Sequence, residues 1–474
     1  MTNSTAAPQS ISPDAGRALE FSQGRKKEQL KELIEFLQIP SISTQPDKAT
    51  DVAVAADWLA REMSLAGLEN VSVIPTKGHP LVYGDWLRAG PESPTVLVYG
   101  HYDVQPPDPL ELWNSPPFEP RIQDDHIYAR GASDDKGQLY IHVKSIESYL
   151  KSAGKLPINV KFIFEGEEES GGESLEAFVP DNKDLLKADT ALVSDTHIVG
   201  RDQPSIVYAL RGMCYVFLNV TGPTRDLHSG GYGGAIDNPI NALGHIIAKL
   251  KNEEGRILIP GFYDRVRTLS DEERRLIARG VHDESAWLAD TGAPRSWGEP
   301  EFTVLERIGA RPTLDVNGLI GGYTDSGAKT VLPSKVHAKI SMRLVPDQDP
   351  QEIFAKFQEY VREITPDSVR AECKYFGGAP PCLIDTQVPE MKAATKAYER
   401  VFGKQPIYKR EGGSIPVISL FQEHLGIQSV LMGFGLADDH IHSPNERMYL
   451  PNFYRGIETS IHYLDILGNS AGSA

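Results

Sequence analysis

Cysteine is scarce in this chain of 474 residues: Cys214, Cys373 and Cys382 are odd in number and show no CxxC spacing. They define neither a disulfide framework nor a cysteine zinc site, and they fit a reducing cytoplasm. Positive charge is also short, with 48 Lys and Arg against 65 Asp and Glu, a formal net charge of -17. Such a surface repels phosphate backbones and anionic lipid, so neither nucleic acid nor a membrane is an expected partner. No apolar run approaches the roughly 20 residues that a membrane-spanning helix needs. The opening "MTNSTAAPQSISPDAG" lacks the basic and apolar regions of a secretory signal and reads as a loose tail, as does the closing "GNSAGSA". A G-x-S-x-G elbow and an HExxH helix are absent, and "GGYGGA" lacks the spacing and preceding strand of a dinucleotide loop. There is no internal repeat and no long low-complexity linker.

Core material is not lacking, with 40% hydrophobic residues. The length exceeds what one hydrophobic core usually supports, so two domains are expected. Short apolar β runs alternate with helical periods over the first two hundred residues, the pattern of an α/β domain with a mostly parallel sheet. "RKKEQLKELIEFLQI" and "DVAVAADWLAREMSLAGL" read as amphipathic helices, the second ending at Gly67; "TVLVYG", "NVKFIFEG" and "TALVSD" read as buried strands. After about Leu210 the strands alternate in polarity, as in "CYVFLNVTG" and "KVHAKISMRLVP", with helices "INALGHIIAKLKNEEG" and "PQEIFAKFQEYVREI" between and after them. The expectation is a smaller α+β domain over 211–382, inserted into an α/β domain formed by 17–210 and 383–474.

Four predicted strands end in residues able to bind a cation. "VLVYGHYDVQPP" places His101 and Asp103 two apart, on one face of an extended chain. "FIFEGEEESGG" delivers Glu168 and Glu169, "ALVSD" delivers Asp195, and "VLMGFGLADDHIHSPNE" delivers His440 and His442. "YARGASDDKGQ" adds Asp134 and Asp135 at a helix start. Each feature alone has an ordinary explanation: a chance His-x-Asp, a solvated acidic helix N-terminus, a helix cap, a loop histidine. Convergence argues otherwise, because open α/β sheets bind ligands beyond the carboxyl ends of their strands. Carboxylates gathered there repel one another unless protonated or matched by metal. Two divalent cations and a bridging hydroxide balance Asp134 as bridge, Glu169 and Asp195 as terminal ligands, and His101 and His442 as neutral imidazoles. Glu168 is then the natural general base and Asp103 the group behind His101 that sets its tautomer.

These motifs resemble the co-catalytic metallopeptidases that include carnosinase, cytosolic non-specific dipeptidase, peptidase V, carboxypeptidase G, aminoacylase and acetylornithine deacetylase. The resemblance runs from about Leu30 to Leu464 and is strongest to the carnosinase and non-specific dipeptidase branch, through "GHYDVQPP", "YARGASDDKGQ", "EGEEESGG", "RDLHSGGYGGAIDNP", "GAKTVLPSKV", "MRLVP", "REGGSIPV" and "HSPNE". It implies that His101, Asp134 and Asp195 hold one metal, zinc or manganese, and that Asp134, Glu169 and His442 hold the other. It implies a dimerisation lid in which His228 and Thr330 reach the neighbouring subunit's site, and a clamp of Arg343, Gly413 and Ser414 on the substrate carboxylate. Asp195, where deacylases of the family tend to carry glutamate, leans toward a dipeptidase. Where carnosinase relatives carry histidine in a "YMGH"-like stretch, this chain reads "YFGGAPP", which weakens the expectation of carnosine as substrate.

The expected function is therefore metal-dependent hydrolysis of dipeptides by a cytoplasmic homodimer. Its near rival is an amidohydrolase of N-acyl or N-carbamoyl amino acids, or a carboxypeptidase, with the same chemistry. A metal-free binding protein that kept the fold is the rival from another class.

Overall fold

The computed structural model describes residues 11–280 and 283–471. Contacts divide the chain into two compact units: Met1–Tyr208 with Ile384–Tyr408 and Leu420–Ala474, and Ala209–Leu383 with Lys409–Ser419. The segment Lys409–Ser419 thus belongs with the second unit, although the sequence pattern alone assigns it to the first.

The sheet of the first unit runs in the spatial order Glu69–Ile74, Leu81–Trp86, Asn159–Glu165, Thr95–His101, Thr190–Val193, Gln428–Leu431 and Ser205–Leu210. Its four strands from Asn159–Glu165 to Gln428–Leu431 pair in parallel, while the margins pair antiparallel. The expected parallel sheet is therefore its centre. Glu69–Ile74 and Leu81–Trp86 are joined by a connection short enough for a hairpin and far too short for the crossover that a parallel pair requires. The Asn159–Glu165 strand is buried along its whole length, which explains why it reads as a continuous apolar run and not as an alternation.

Helices flank this sheet. Ala49–Ala66 buries Val52, Ala55, Ala56, Leu59, Met63 and Ala66, one face at helical spacing, and stops at Gly67, whose φ of 105° is left-handed. Lys136–Ala153 is buried over its first fourteen residues and crosses the end of Thr95–His101. A Cβ at Gly100 would lie 2.7 Å from Leu139 Cβ and 2.8 Å from Asp135 Oδ2, so the glycine that interrupts the apolar run is where helix and strand meet closely.

Neither described terminus is loose. Ser12 caps a helix at Pro13–Gly24, its hydroxyl accepting from the Ala15 amide, with Pro13 at the favoured first position. The last helix, Leu450–Ala471, continues through "GNSA", where Asn469 and Ser470 each donate to the residue four places back. The rest of both expected tails lies outside the described residues.

The second unit contains a four-stranded antiparallel sheet in the order Thr313–Gly321, Lys335–Leu344, Gly212–Thr221, Arg370–Ala379. Gly212–Thr221 alternates strictly between buried and half-buried residues. Its buried Val216, Leu218 and Val220 pack with Ile246 of Pro239–Leu250 and Phe357 of Pro350–Ile364. One sheet face is thus covered by two helices.

Candidate metal centre

Five chain segments of the first unit bring carboxylates and imidazoles together at the carboxyl end of its parallel strands. His101 ends its strand and is fully buried; Glu168 and Glu169 lie in the turn Glu168–Ser170 after the neighbouring strand; Asp195 follows Thr190–Val193. Asp134 sits just before the helix Lys136–Ala153. His442 lies in a loop where His440, His442 and Asn445 all have left-handed φ values of 57°, 57° and 65°. Non-glycine residues rarely occupy that region, and at functional sites such strain is held by the surrounding structure.

Two groups of potential ligands result, His101–Asp134–Asp195 and Asp134–Glu169–His442, each with its donor atoms within 4.8 Å of one another. Asp134 belongs to both: its Oδ1 lies 3.0 Å from His101 Nε2 and its Oδ2 lies 2.9 Å from His442 Nε2. His442 Nε2 is also 3.2 Å from Glu169 Oε1, while Glu169 Oε2 accepts from Gln105 at 2.6 Å. His440 joins neither group.

The electrostatics follow from this packing. Burial opposes a charge on His101, but hydrogen bonds to Asp103 and Asp134 outweigh it and hold its pKa well above the usual value. Hydrogen bonds from His101 and His442 overcome the burial of Asp134 and hold its carboxyl well below the usual range. His442 is pushed up to about 10 by its bonds to Asp134 and Glu169. Glu168 is driven up to about 8, chiefly by burial; His101 pulls it down, while Asp195, Glu169 and Asp134 push it further up. No lysine or arginine pairs with Asp134 or Glu169 among the described residues. The donor set is oxygen and imidazole nitrogen only, with one carboxylate facing both ways. These residues fit two divalent cations of the zinc or manganese type, which would take the places of the imidazolium protons.

The acidic run "EGEEESGG" divides by role. Glu165 accepts from Tyr99 Oη at 2.6 Å, and Glu167 from the His79 and Ser174 amides at 2.6 and 2.9 Å; both are buried and structural. Glu173, just past this run and exposed in the first turn of its helix, is the solvated helix-end acid that the run as a whole resembles. Asp103 accepts from the amides of Glu168 and Glu169 at 3.3 and 3.1 Å, and His101 Nδ1 lies nearer its backbone carbonyl, at 3.1 Å, than its carboxylate, at 3.4 Å.

The remaining expected residues lie in the second unit. Arg343 Nη1 donates to Ser414 Oγ at 3.1 Å, and Ser414 Oγ donates to the carbonyl of Arg211. Arg211 Nε in turn holds the carbonyl of Gly412 at 3.1 Å, beside exposed Gly413. His228 and Thr330 are exposed neighbours, since the Ser229 amide donates to the Thr330 carbonyl at 3.0 Å. His228 Nδ1 accepts from the amides of Gly230 and Gly231 at 3.0 and 3.2 Å, so a neutral ring carries its proton on Nε2. At Gly378, the counterpart of the carnosinase histidine, a Cβ would lie 2.4 Å from the Met213 carbonyl oxygen. This backbone has no room there for an imidazole.

Residues 97–465 match Peptidase family M20/M25/M40. The chain belongs to this family. A Cys-Gly metallodipeptidase of Schizosaccharomyces pombe is 33% identical over 467 residues, spanning 95% of this chain and 98% of that protein. Among solved structures, human carnosine dipeptidase 1 superposes with a TM-score of 0.82 at 26% identity, covering 97% of this chain and 100% of its own. A metallo-carboxypeptidase of the family from Sulfolobus solfataricus gives 0.82 at 34% identity, covering 93% and 99%. No helix among the described residues is long and apolar enough to cross a membrane.

Proposed function

We propose that this member of the peptidase family hydrolyses the peptide bond of dipeptides, using two divalent cations. The observation that carries the reading is the pair of ligand groups sharing Asp134, with Glu168 beside them, in a chain similar over nearly its whole length to a Cys-Gly dipeptidase. His101, Asp134 and Asp195 hold one cation, and Asp134, Glu169 and His442 the other. When bound, two such cations polarise the scissile carbonyl and acidify the water that attacks it. Glu168 takes the proton from that water and returns it to the leaving amine, a task that suits a carboxyl poised near neutral pH. Arg343 and the Gly413–Ser414 backbone receive the substrate's terminal carboxylate.

The oxyanion that develops on the attacked carbonyl needs a donor, and the Nε2–H of His228 is one. The second unit carries an edge strand, Thr313–Gly321, that leaves Leu319 and Ile320 60% and 55% exposed, with Tyr323 exposed just beyond. Exposed apolar edges favour pairing with another chain. These features support a homodimer in which His228 and Thr330 of the partner subunit complete each site. No disulfide joins the cysteines among the described residues, which suits a cytoplasmic enzyme.

A carboxypeptidase is the second reading, favoured by the 34% identity to the Sulfolobus enzyme. A substrate panel decides between them. Metal-stripped protein is restored with Mn2+ or Zn2+ and given a free dipeptide, its N-acetylated form and a longer peptide. A dipeptidase hydrolyses the first only. Release of C-terminal residues from the longer peptide supports a carboxypeptidase, and preference for the acetylated form supports an acyl-amino-acid hydrolase.

A further inference from the structure

We propose that Glu446 is the positioning residue of the metal centre, fixing the backbone of residues 129–134 so that Asp134 presents one oxygen to each cation. The inference rests on the proposed ligand roles and goes beyond them.

Glu446 is fully buried, four residues past His442, and its carboxylate is filled by donors from the Asp134 segment. Oε1 accepts from the amides of Ser133 and Asp134, both at 3.0 Å. Oε2 accepts from the Gly131 amide at 2.9 Å and from Arg130 Nη1 at 2.8 Å. Its own backbone carbonyl accepts from the Ala129 amide at 3.1 Å. One residue therefore satisfies four of the backbone amides between 129 and 134, a stretch that belongs to neither the strand before it nor the helix after it.

Arg130 carries the tie further. It is buried, stacks over Trp113 at 5.5 Å, and its Nη2 donates to the Pro106 carbonyl at 3.2 Å. Pro106 lies three residues past Asp103. The adjoining strand Arg447–Tyr449 pairs with His126–Tyr128, which leads into the Asp134 segment. The segments that supply His101, Asp134 and His442 are thus joined through one carboxylate, which belongs to neither ligand group and whose oxygens are taken by four donors.

Buried amides must be paired, and leaving them unpaired costs about 1–3 kcal/mol each. Without the Glu446 carboxylate the amides of Gly131, Ser133 and Asp134 have no other acceptor among the described residues, and the Asp134 carboxylate loses its frame. Groups that orient metal ligands typically alter metal affinity ten- to a hundredfold when changed.

The test titrates Mn2+ into metal-stripped full-length protein by calorimetry. Glu446→Gln keeps the shape but turns an amide nitrogen toward backbone N–H donors, and it should weaken both binding steps by about ten- to a hundredfold, because Asp134 serves both cations. Leu33→Ala, a buried change in the helix Lys26–Leu37, which carries no residue of either ligand group, is the stability control and should bind as wild type does. If Glu446→Gln is recovered unfolded, Glu446→Asp, which keeps the charge but withdraws it by one methylene, takes its place with the same expected loss. Wild-type affinity in the folded variant overturns the proposal, as does an equal loss in Leu33→Ala. Asp134→Ala separates the two claims: if it still binds two Mn2+ ions, the ligand assignment fails, whatever Glu446 does.

Discussion

His101 turns its Nδ1 toward Asp103, 3.1 Å from the backbone carbonyl and 3.4 Å from the carboxylate of that residue. The same carboxylate accepts from the amides of Glu168 and Glu169. Asp103 therefore links the His101 imidazole on one strand to the turn that carries Glu168 and Glu169 after the next. Asp103→Asn preserves the shape and removes the charge that these amides and the imidazole share. Metal affinity and kcat/KM should each fall about ten- to a hundredfold. Unchanged affinity with unchanged turnover would show that the backbone carbonyl alone orients His101.

Glu168 is beside the ligands but belongs to neither group. Glu168→Gln should lose about 10²–10⁴-fold in turnover while binding both metals, since it removes a base and no ligand. Metal content and kcat are measured on the same preparation. Turnover within about threefold of wild type would end the assignment, and loss of one metal would make Glu168 a ligand.

Arg343 and Ser414, hydrogen-bonded at 3.1 Å, are the proposed carboxylate clamp. Arg343→Met should cripple hydrolysis of a dipeptide acid and change little for its C-terminal amide, which lacks the charge that the guanidinium receives. Equal fractional losses on both substrates would contradict the clamp.

The pH dependence of stability has a separate source in His142. It is buried between the Ser194 and Ser460 hydroxyls, at 2.6 and 3.1 Å, and burial lowers its pKa from 6.5 to about 3. The native state thus holds a neutral ring that the unfolded chain protonates below 6.5. Its contribution is fully present above 6.5 and is lost as the pH falls toward 3, at about 1.4 kcal/mol per pH unit. His142→Gln removes this titration, so the stability difference between wild type and variant should be flat above neutrality and shift by that slope below it. Urea unfolding of the metal-stripped proteins at about pH 7.5, 6 and 5 checks it. A difference independent of pH would mean that His142 is not held neutral.

The candidate site was legible because a parallel strand ends where its apolar run ends, and His101, Glu168, Glu169 and Asp195 follow such runs. His442 required a choice against His440 that composition does not make; both residues are left-handed, and it is the 2.9 Å distance to Asp134 that singles out His442. Glu446, Gln105 and Arg211 were not legible as functional residues, because their partners are backbone groups or carboxylates brought near only by the fold. The antiparallel margins of the sheet were hidden for a related reason: a strand buried on both faces shows the same apolar run whichever way its neighbour points. The terminal "GNS" has weak helix formers throughout, yet Gly468 packs where a Cβ would lie 2.8 Å from Pro157, and tertiary contact overrides propensity.

The shared site is the most demanding expectation. His228 and Thr330 are exposed neighbours in the second unit, and the Gly230 and Gly231 amides leave the Nε2–H of His228 as its free donor. Removing one oxyanion donor typically costs about 2.7–4 kcal/mol, or 10²–10³-fold in kcat, so His228→Ala alone should be nearly inactive. Glu168→Gln is inactive for a different reason. If His228 of the partner subunit completes each site, a mixed dimer of the two variants gathers both lesions in one site and leaves the other intact. Random assembly makes about half of the dimers mixed, and each of these has one working site of two, so co-expression should restore roughly a quarter of wild-type activity. If His228 serves its own chain, every site keeps one lesion and no activity returns. The experiment reads activity of the co-expressed pair after tandem-tag purification has verified mixed dimers. No rescue in those dimers would sink the shared site and leave the metal centre standing; rescue near a quarter in the unfractionated pair, and near a half in the purified mixed dimers, fixes both the partner and the stoichiometry.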